Sequence, residues 1–179
     1  MIIVISVCKE KLHELEFVKP IIDIVKSCKV VHYSKLKNKD LFDAEKVIIC
    51  GTSLKDNEFL KYLDKFSWLK IFDKPVLGIC AGMQIIGLVF GGKLKQKKEI
   101  GYFKENLNGF FGLNEVEVYH LHGNYVEFTK EFRVYNKGIP QAVSYGNIYG
   151  VLFHPEVRQK KLIKRFIYHK YPTALRWGS

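Results

Sequence analysis

The sequence predicts an α/β fold: an open, mostly parallel sheet flanked by helices, with antiparallel strands added in the C-terminal half. Three observations carry this. Short β-branched apolar runs recur through the first half, longer amphipathic stretches separate them, and strict alternation replaces this pattern in the second half. Strand–helix alternation implies parallel strands covered on both faces, whereas alternation along a strand implies antiparallel pairing.

Taken in order, Ile2 to Val7 is a buried strand and Leu12 to Lys26 a helix. Val30 to Tyr33 and Val47 to Cys50 are further strands, and Asn57 to Phe66 has helical spacing. Pro75 to Ile79 is a fourth apolar strand, and Gly82 to Phe90 a buried helix stopped by Gly91-Gly92. Val116, Val118 and His120 alternate with Glu117, Tyr119 and Leu121, which reads as antiparallel strands or a hairpin added to the core. Gln141 to Phe153 holds two strand-like runs around Tyr145-Gly146-Asn147, and Lys160 to Tyr168 is a closing helix. The final Trp177-Gly178-Ser179 is expected to be disordered.

The 179 residues fit one domain, 1–179, and a composition 47% hydrophobic and 26% charged excludes a disordered chain. No apolar run is long enough to span a bilayer, and the N-terminus lacks a signal-like pattern, so a cytoplasmic protein with no membrane partner is expected. The net charge is +11, from 29 Lys+Arg against 18 Asp+Glu. These cations are scattered from Lys9 to Arg176, and no stripe interleaves them with aromatics. No nucleic-acid partner is therefore expected. The densest groups, Lys93 to Lys98 and Lys160 to Arg165, read as a solvated face or a docking surface for a protein.

Cysteines stand at 8, 28, 50 and 80, with no Cys-x-x-Cys pair and no His pair at ligand spacing. Neither a disulfide framework nor a structural zinc site follows, and no metal is expected. His120 and His122 read as structural or pocket-lining residues, His13, His32 and His169 as surface groups, and Cys50 as a buried thiol.

One cysteine has the setting of a nucleophile. In Pro75-Val-Leu-Gly-Ile-Cys80-Ala-Gly-Met-Gln84, an apolar strand runs into Cys80 and a helix starts at once. Such a turn exposes its apical residue and tolerates little neighbouring bulk, which Gly78, Ala81 and Gly82 satisfy. The helix N-terminus favours a thiolate and a developing oxyanion. A candidate base stands in Ile148-Tyr-Gly-Val-Leu-Phe-His154-Pro-Glu156. A strand brings His154 to its end, and residues two apart on extended chain face the same way, so Glu156 reaches the imidazole.

Gly78-x-Cys80-x-Gly82-x-Gln84 together with Gly150-x-x-Phe153-His154-Pro155-Glu156 resembles the class I (triad) glutamine amidotransferases, over nearly the whole chain. Glu99-Ile100-Gly101-Tyr102 is similar to their Glu-Ile-Gly-Trp segment, and His122-Gly123-Asn124 to a His-Gly-Asp turn. The resemblance implies a flavodoxin-like core and a glutaminase with a Cys80–His154–Glu156 triad. It implies an oxyanion hole from Ala81 and the Gly51-Thr52 loop, and substrate contacts from Gln84, with Asn124 and Tyr125 as pocket-lining candidates. Thr52 and Ser53 depart from the Gly-Gly-Pro or Gly-Pro-Gly loop usual there. The second donor is either kept with a changed side chain, or built differently, or formed when a partner docks.

The resemblance also implies L-glutamine as substrate, no cofactor, and a separate, ATP-dependent synthase subunit that takes the ammonia. No P-loop pattern is present. The Ile148 to Glu156 run and the His-Gly-Asn turn are most similar to the glutaminase subunit of GMP synthases, which would place the chain in purine biosynthesis. The Asp-x-Gly-Ser/Gly-Gln pattern usual at their N-terminus is missing. Met83 resembles the histidine-pathway glutaminases, and Cys80-Ala81-Gly82 the pyridoxal-pathway ones. Two other readings use the same residues: a γ-glutamyl hydrolase acting without a synthase, and a silent binding module.

Overall fold

The computed structural model describes residues 1–169; Trp177-Gly178-Ser179 lies outside them. Strand β1 (Ile2–Ser6) opens the chain and pairs in parallel with β2 (Cys28–His32). Between them the expected single helix is divided into α1 (Glu14–Phe17), after a 3₁₀ turn at Lys11–His13, and α2 (Lys19–Val25). Pro20 divides it: with no N–H it cannot bond the carbonyl one turn back, and it sits instead in the first turn of α2. A short helix that the periodicity did not reveal, α3 (Asn38–Asp43), follows β2. Its N-terminus is closed by the Lys37 amide donating to Asp40 Oδ2 at 2.9 Å.

Strand β3 (Lys46–Ile49) lies on the other side of β1, and β4 (Val76–Ile79) beside β3. Between them Glu58–Lys70 forms 3₁₀ turns kinked at Tyr62. Helix α4 (Ala81–Val89) follows β4 directly and is buried on almost every side. The chain then leaves the sheet for a long hairpin, β5 (Lys93–Phe110) and β6 (Leu113–Glu127). It returns through β7 (Arg133–Val134), β8 (Ala142–Tyr145), β9 (Ile148–Val151) and α5 (Lys160–Tyr168).

The main sheet runs β2-β1-β3-β4-β9-β8-β7, parallel through β9, with β8 and β7 antiparallel at the edge. Side chains alternate between its faces. Val4 of β1 packs with α1, α2 and α5, while Ile3 and Ile5 pack with the Glu58–Lys70 segment and α4. Val116 to Leu121 pairs with β5 rather than joining this sheet. The lysine run at 93–98 is thus a strand whose outer face is solvated, and its charge masked it as one. No helix among the described residues is long and apolar enough to cross a membrane.

Two glycines let α4 lie against the sheet. A Cβ on Gly82 would collide with the Ile49 carbonyl oxygen and stand 2.9 Å from its carbon, and one on Gly78 would stand 2.6 Å from the Gly82 carbonyl. These neighbours are backbone and cannot swing away. Gly82→Ala is therefore expected to lose about 3 kcal/mol, lowering Tm by roughly 6–12 °C, read by thermal melting followed by circular dichroism.

Candidate active site

The carboxyl ends of β1, β3, β4 and β9 converge on one edge of the sheet, where ligands bind in open α/β folds. Cys80 sits there between β4 and α4, with φ 50° and ψ −103°. That conformation is unfavourable for a residue with a Cβ, and such strain concentrates at functional positions. The surroundings hold it in place. The Cys80 amide donates to the Val151 carbonyl at 2.8 Å, and its own carbonyl accepts the first bond of α4, from the Gln84 amide at 3.0 Å. Ala81 begins α4, where main-chain N–H groups have no partner within the helix.

His154 stands beyond the end of β9, which stops at Val151, short of the position the sequence suggested. Its amide is fixed to the Tyr119 carbonyl at 2.8 Å, and Val157 and Arg158 turn back to its carbonyl. The His154 Nδ1 to Glu156 Oε1 contact, 2.7 Å, is thus made through a tight turn at Pro155 rather than along extended chain. Both side chains are buried, and His154 Nε2 is buried with no hydrogen-bond partner among the described residues. Burial alone would lower the His154 pKa. The charge of Glu156, the nearby Cys80 and the hydrogen bond to Glu156 outweigh it and raise the pKa well above 6.5. Phe17 walls the imidazole at 5.5 Å between ring centroids.

Gly51 lies under that ring: a Cβ there would meet His154 Cε1 at 2.7 Å and Cys80 Cβ at 3.4 Å. This gives the glycine a steric reason independent of any role for its amide. The next residue, Thr52, is held by a group that sequence reasoning missed. Asp56 accepts from Thr52 Oγ1 at 2.6 Å and from the Lys9 amide at 2.7 Å on one oxygen, and from the Glu58 amide at 3.1 Å on the other. The Thr-x-x-x-Asp spacing was the available signal. Asp56→Ala is expected to cost about 2 kcal/mol and to speed hydrogen exchange at residues 51–53, measured by mass spectrometry.

The hairpin closes the site from above. Cys80 Sγ faces the Leu121 carbonyl at 3.6 Å, and buried Gln84 donates from Nε2 to the Asn124 carbonyl at 3.1 Å, so it does not face solvent. Asn124 in turn donates to Asn57 Oδ1 at 3.2 Å. Thr52, Cys80, Ala81, Gln84, His122 and Asn124 share a cleft with about 20 Å³ of free space, room for about one water. Tyr125 does not line it. As the next residue along β6 it projects to the other side and packs into the core beside α4.

Cys50 is wholly buried at the end of β3, and burial followed by the Glu156 charge pushes its thiol pKa well up. His32 is not a free surface group: it lies 3.2 Å from the Cys8 carbonyl through Nε2 and is half-buried. His122 is buried against Glu99, 3.0 Å away. Burial first, and then His120, lower its pKa to about 4 despite Glu99, which leaves the ring neutral at pH 7.

Comparison with known proteins places the chain in a family. The family model "Glutamine amidotransferase class-I" matches residues 17–172. The GMP synthase [glutamine-hydrolyzing] of Clostridium tetani is 37% identical over 114 residues, covering 54% of this chain and 22% of that protein. The Bacillus pumilus protein of the same name is 35% identical over 128 residues, 61% of this chain and 25% of its own length. The matched stretch thus spans no more than about a quarter of these relatives. Among solved structures, a Thermoplasma acidophilum protein described as a candidate GMP synthase subunit superposes with TM-score 0.79 at 21% identity, over 93% of this chain and 92% of that one. A Thermotoga maritima glutamine amidotransferase gives 0.66 at 22% identity, over 93% and 80%. At these identities the structural likeness is one of fold.

Proposed function

The chain belongs to the class I glutamine amidotransferases, and from that premise we propose that Cys80, His154 and Glu156 hydrolyse L-glutamine to glutamate and ammonia for a separate synthase subunit. One observation carries the proposal. A cysteine held at positive φ on a strand-to-helix turn shares its sheet edge with a buried imidazole, whose far nitrogen is tied to a carboxylate at 2.7 Å.

In this mechanism His154 Nε2 takes the thiol proton and Cys80 Sγ bonds the side-chain amide carbon of glutamine. The oxyanion of the tetrahedral intermediate is stabilised by the Ala81 amide and a second donor from the Gly51-Thr52 loop. His154 returns the proton to the leaving ammonia. It then deprotonates a water that hydrolyses the thioester to glutamate, while Glu156 keeps the ring in one tautomer and stabilises its cation. The narrow cleft supports gating by the partner, since glutamine enters only when residues 121–124 move off Cys80.

The similarity to proteins named GMP synthase [glutamine-hydrolyzing] makes a GMP synthase-type, ATP-dependent partner the first choice. The test is glutamate release from glutamine by the purified chain and by Cys80→Ala, with and without the synthase, and in parallel on γ-glutamyl peptides. Cys80-dependent release, raised by the synthase and coupled to GMP formation, is the expected result. Peptide cleavage without the synthase would favour a stand-alone γ-glutamyl hydrolase, and no turnover in any mixture would favour a silent module.

A further inference from the structure

We propose that Glu99, His120 and His122 form a binding site for a zinc-class divalent cation on the inner face of the β5–β6 hairpin. One ligand atom from each of the three lies within 4.8 Å of the others. His120 and His122 are two apart on β6 and so project to the same face. Glu99 is brought opposite His122 by a register shift between Gln96 and Glu99, a bulge that re-aims the strand. Ligand spacing along the chain does not reveal this set, because the carboxylate comes from the opposite strand.

Unsatisfied atoms point to a ligand. His120 Nδ1 and His122 Nδ1 are buried without a hydrogen-bond partner among the described residues, and His122 Nε2 and Glu99 Oε2 stand 3.0 Å apart without making a hydrogen bond. Both imidazoles are essentially fully buried. Each such atom costs about 1–3 kcal/mol when left unmet, and one cation would engage a nitrogen from each ring together with the carboxylate. Two imidazoles and a carboxylate, with a fourth position for water, suit a tetrahedral zinc-class ion better than calcium or magnesium. Bonds of about 2.0–2.1 Å would draw the three ligand atoms closer together than their present spacing. The outer support is in place too. Glu105 Oε1 lies 3.4 Å from His120 Nε2, orienting the ring with Nδ1 free to ligate, as carboxylates do behind metal-bound histidines.

The ion would lie beside the nucleophile without touching it. Leu121, between the two histidines, places its carbonyl over Cys80 Sγ. A cation here therefore fixes the stretch of β6 that covers the thiol. Binding at this site does not depend on whether the chain turns over glutamine.

The test is titration of the metal-stripped full chain with Co²⁺ and then Zn²⁺, followed by visible absorption and by thermal melting. One Co²⁺ per chain with the intense bands of a tetrahedral site, bleached by one equivalent of Zn²⁺, and a higher Tm with Zn²⁺ are expected. Glu99→Gln, at a half-buried position where folding is readily checked by circular dichroism, should weaken binding about tenfold or more. His120→Gln should weaken it further, and Cys80→Ser should leave it intact. No bound metal at equilibrium dialysis, uptake unchanged in Glu99→Gln, or a thiolate charge-transfer band lost in Cys80→Ser would overturn the assignment.

Discussion

Cys80→Ala is expected to reduce glutamate release to background, a loss of about 10⁶-fold, while leaving the fold unchanged. In the proposed mechanism the thiol bonds the amide carbon, and an alanine offers His154 no proton to take. Removing it breaks no strong contact, since among the described residues the sulfur's one hydrogen bond is the long 3.6 Å approach to Leu121. The backbone strain at φ 50° stays, because alanine keeps the Cβ. Cys80→Gly separates the two effects. It should be equally inactive but more stable by about 1 kcal/mol, since glycine adopts this conformation without penalty. A higher Tm for the glycine variant than for alanine would show that the turn holds the nucleophile against its own conformational preference. Release that survives in Cys80→Ala would remove the thiol from the mechanism altogether.

The parts of the site legible in the sequence were those built from contiguous residues. Strand, small residue, cysteine and helix follow one another in Gly78 to Gln84, and the His154–Glu156 contact was expected too, although a turn makes it and not the extended chain that was expected. What was not legible depended on pairing between distant segments. Asp56 binds Thr52 within its own loop, but its second partner, the Lys9 amide, comes from beyond β1. Glu99 meets His122 only through the hairpin register, and the start of β5 was masked because residues 93–98 are all exposed and show no alternating apolar face. The same reasoning explains the placement of Tyr125. Its neighbour Asn124 lines the cleft, and a shift of one residue along a strand reverses the face.

The second large effect concerns Glu156, which in the proposed mechanism acts through His154 rather than on the substrate. Glu156→Gln keeps the shape and leaves an oxygen able to accept from Nδ1, but removes the charge. In the wild type that charge and Cys80 lift the His154 pKa against burial. Without the carboxylate, burial pulls the pKa back down, the imidazolium formed on taking the thiol proton loses its counter-charge, and the amide can select the wrong tautomer. Glutamate release should fall about 10³–10⁴-fold, the loss typical when a triad carboxylate becomes an amide. Stability separates this from a merely structural role. A raised folded pKa means that the His154 contribution is fully present below the unfolded value near 6.5 and is lost as pH rises through the folded value. The wild type should therefore exceed Glu156→Gln by about 2 kcal/mol near pH 6, with the gap narrowing as pH increases. Urea melts at a series of pH values read this directly. A gap that is constant with pH would mean that Glu156 supports the turn at Pro155 and does not hold charge on His154.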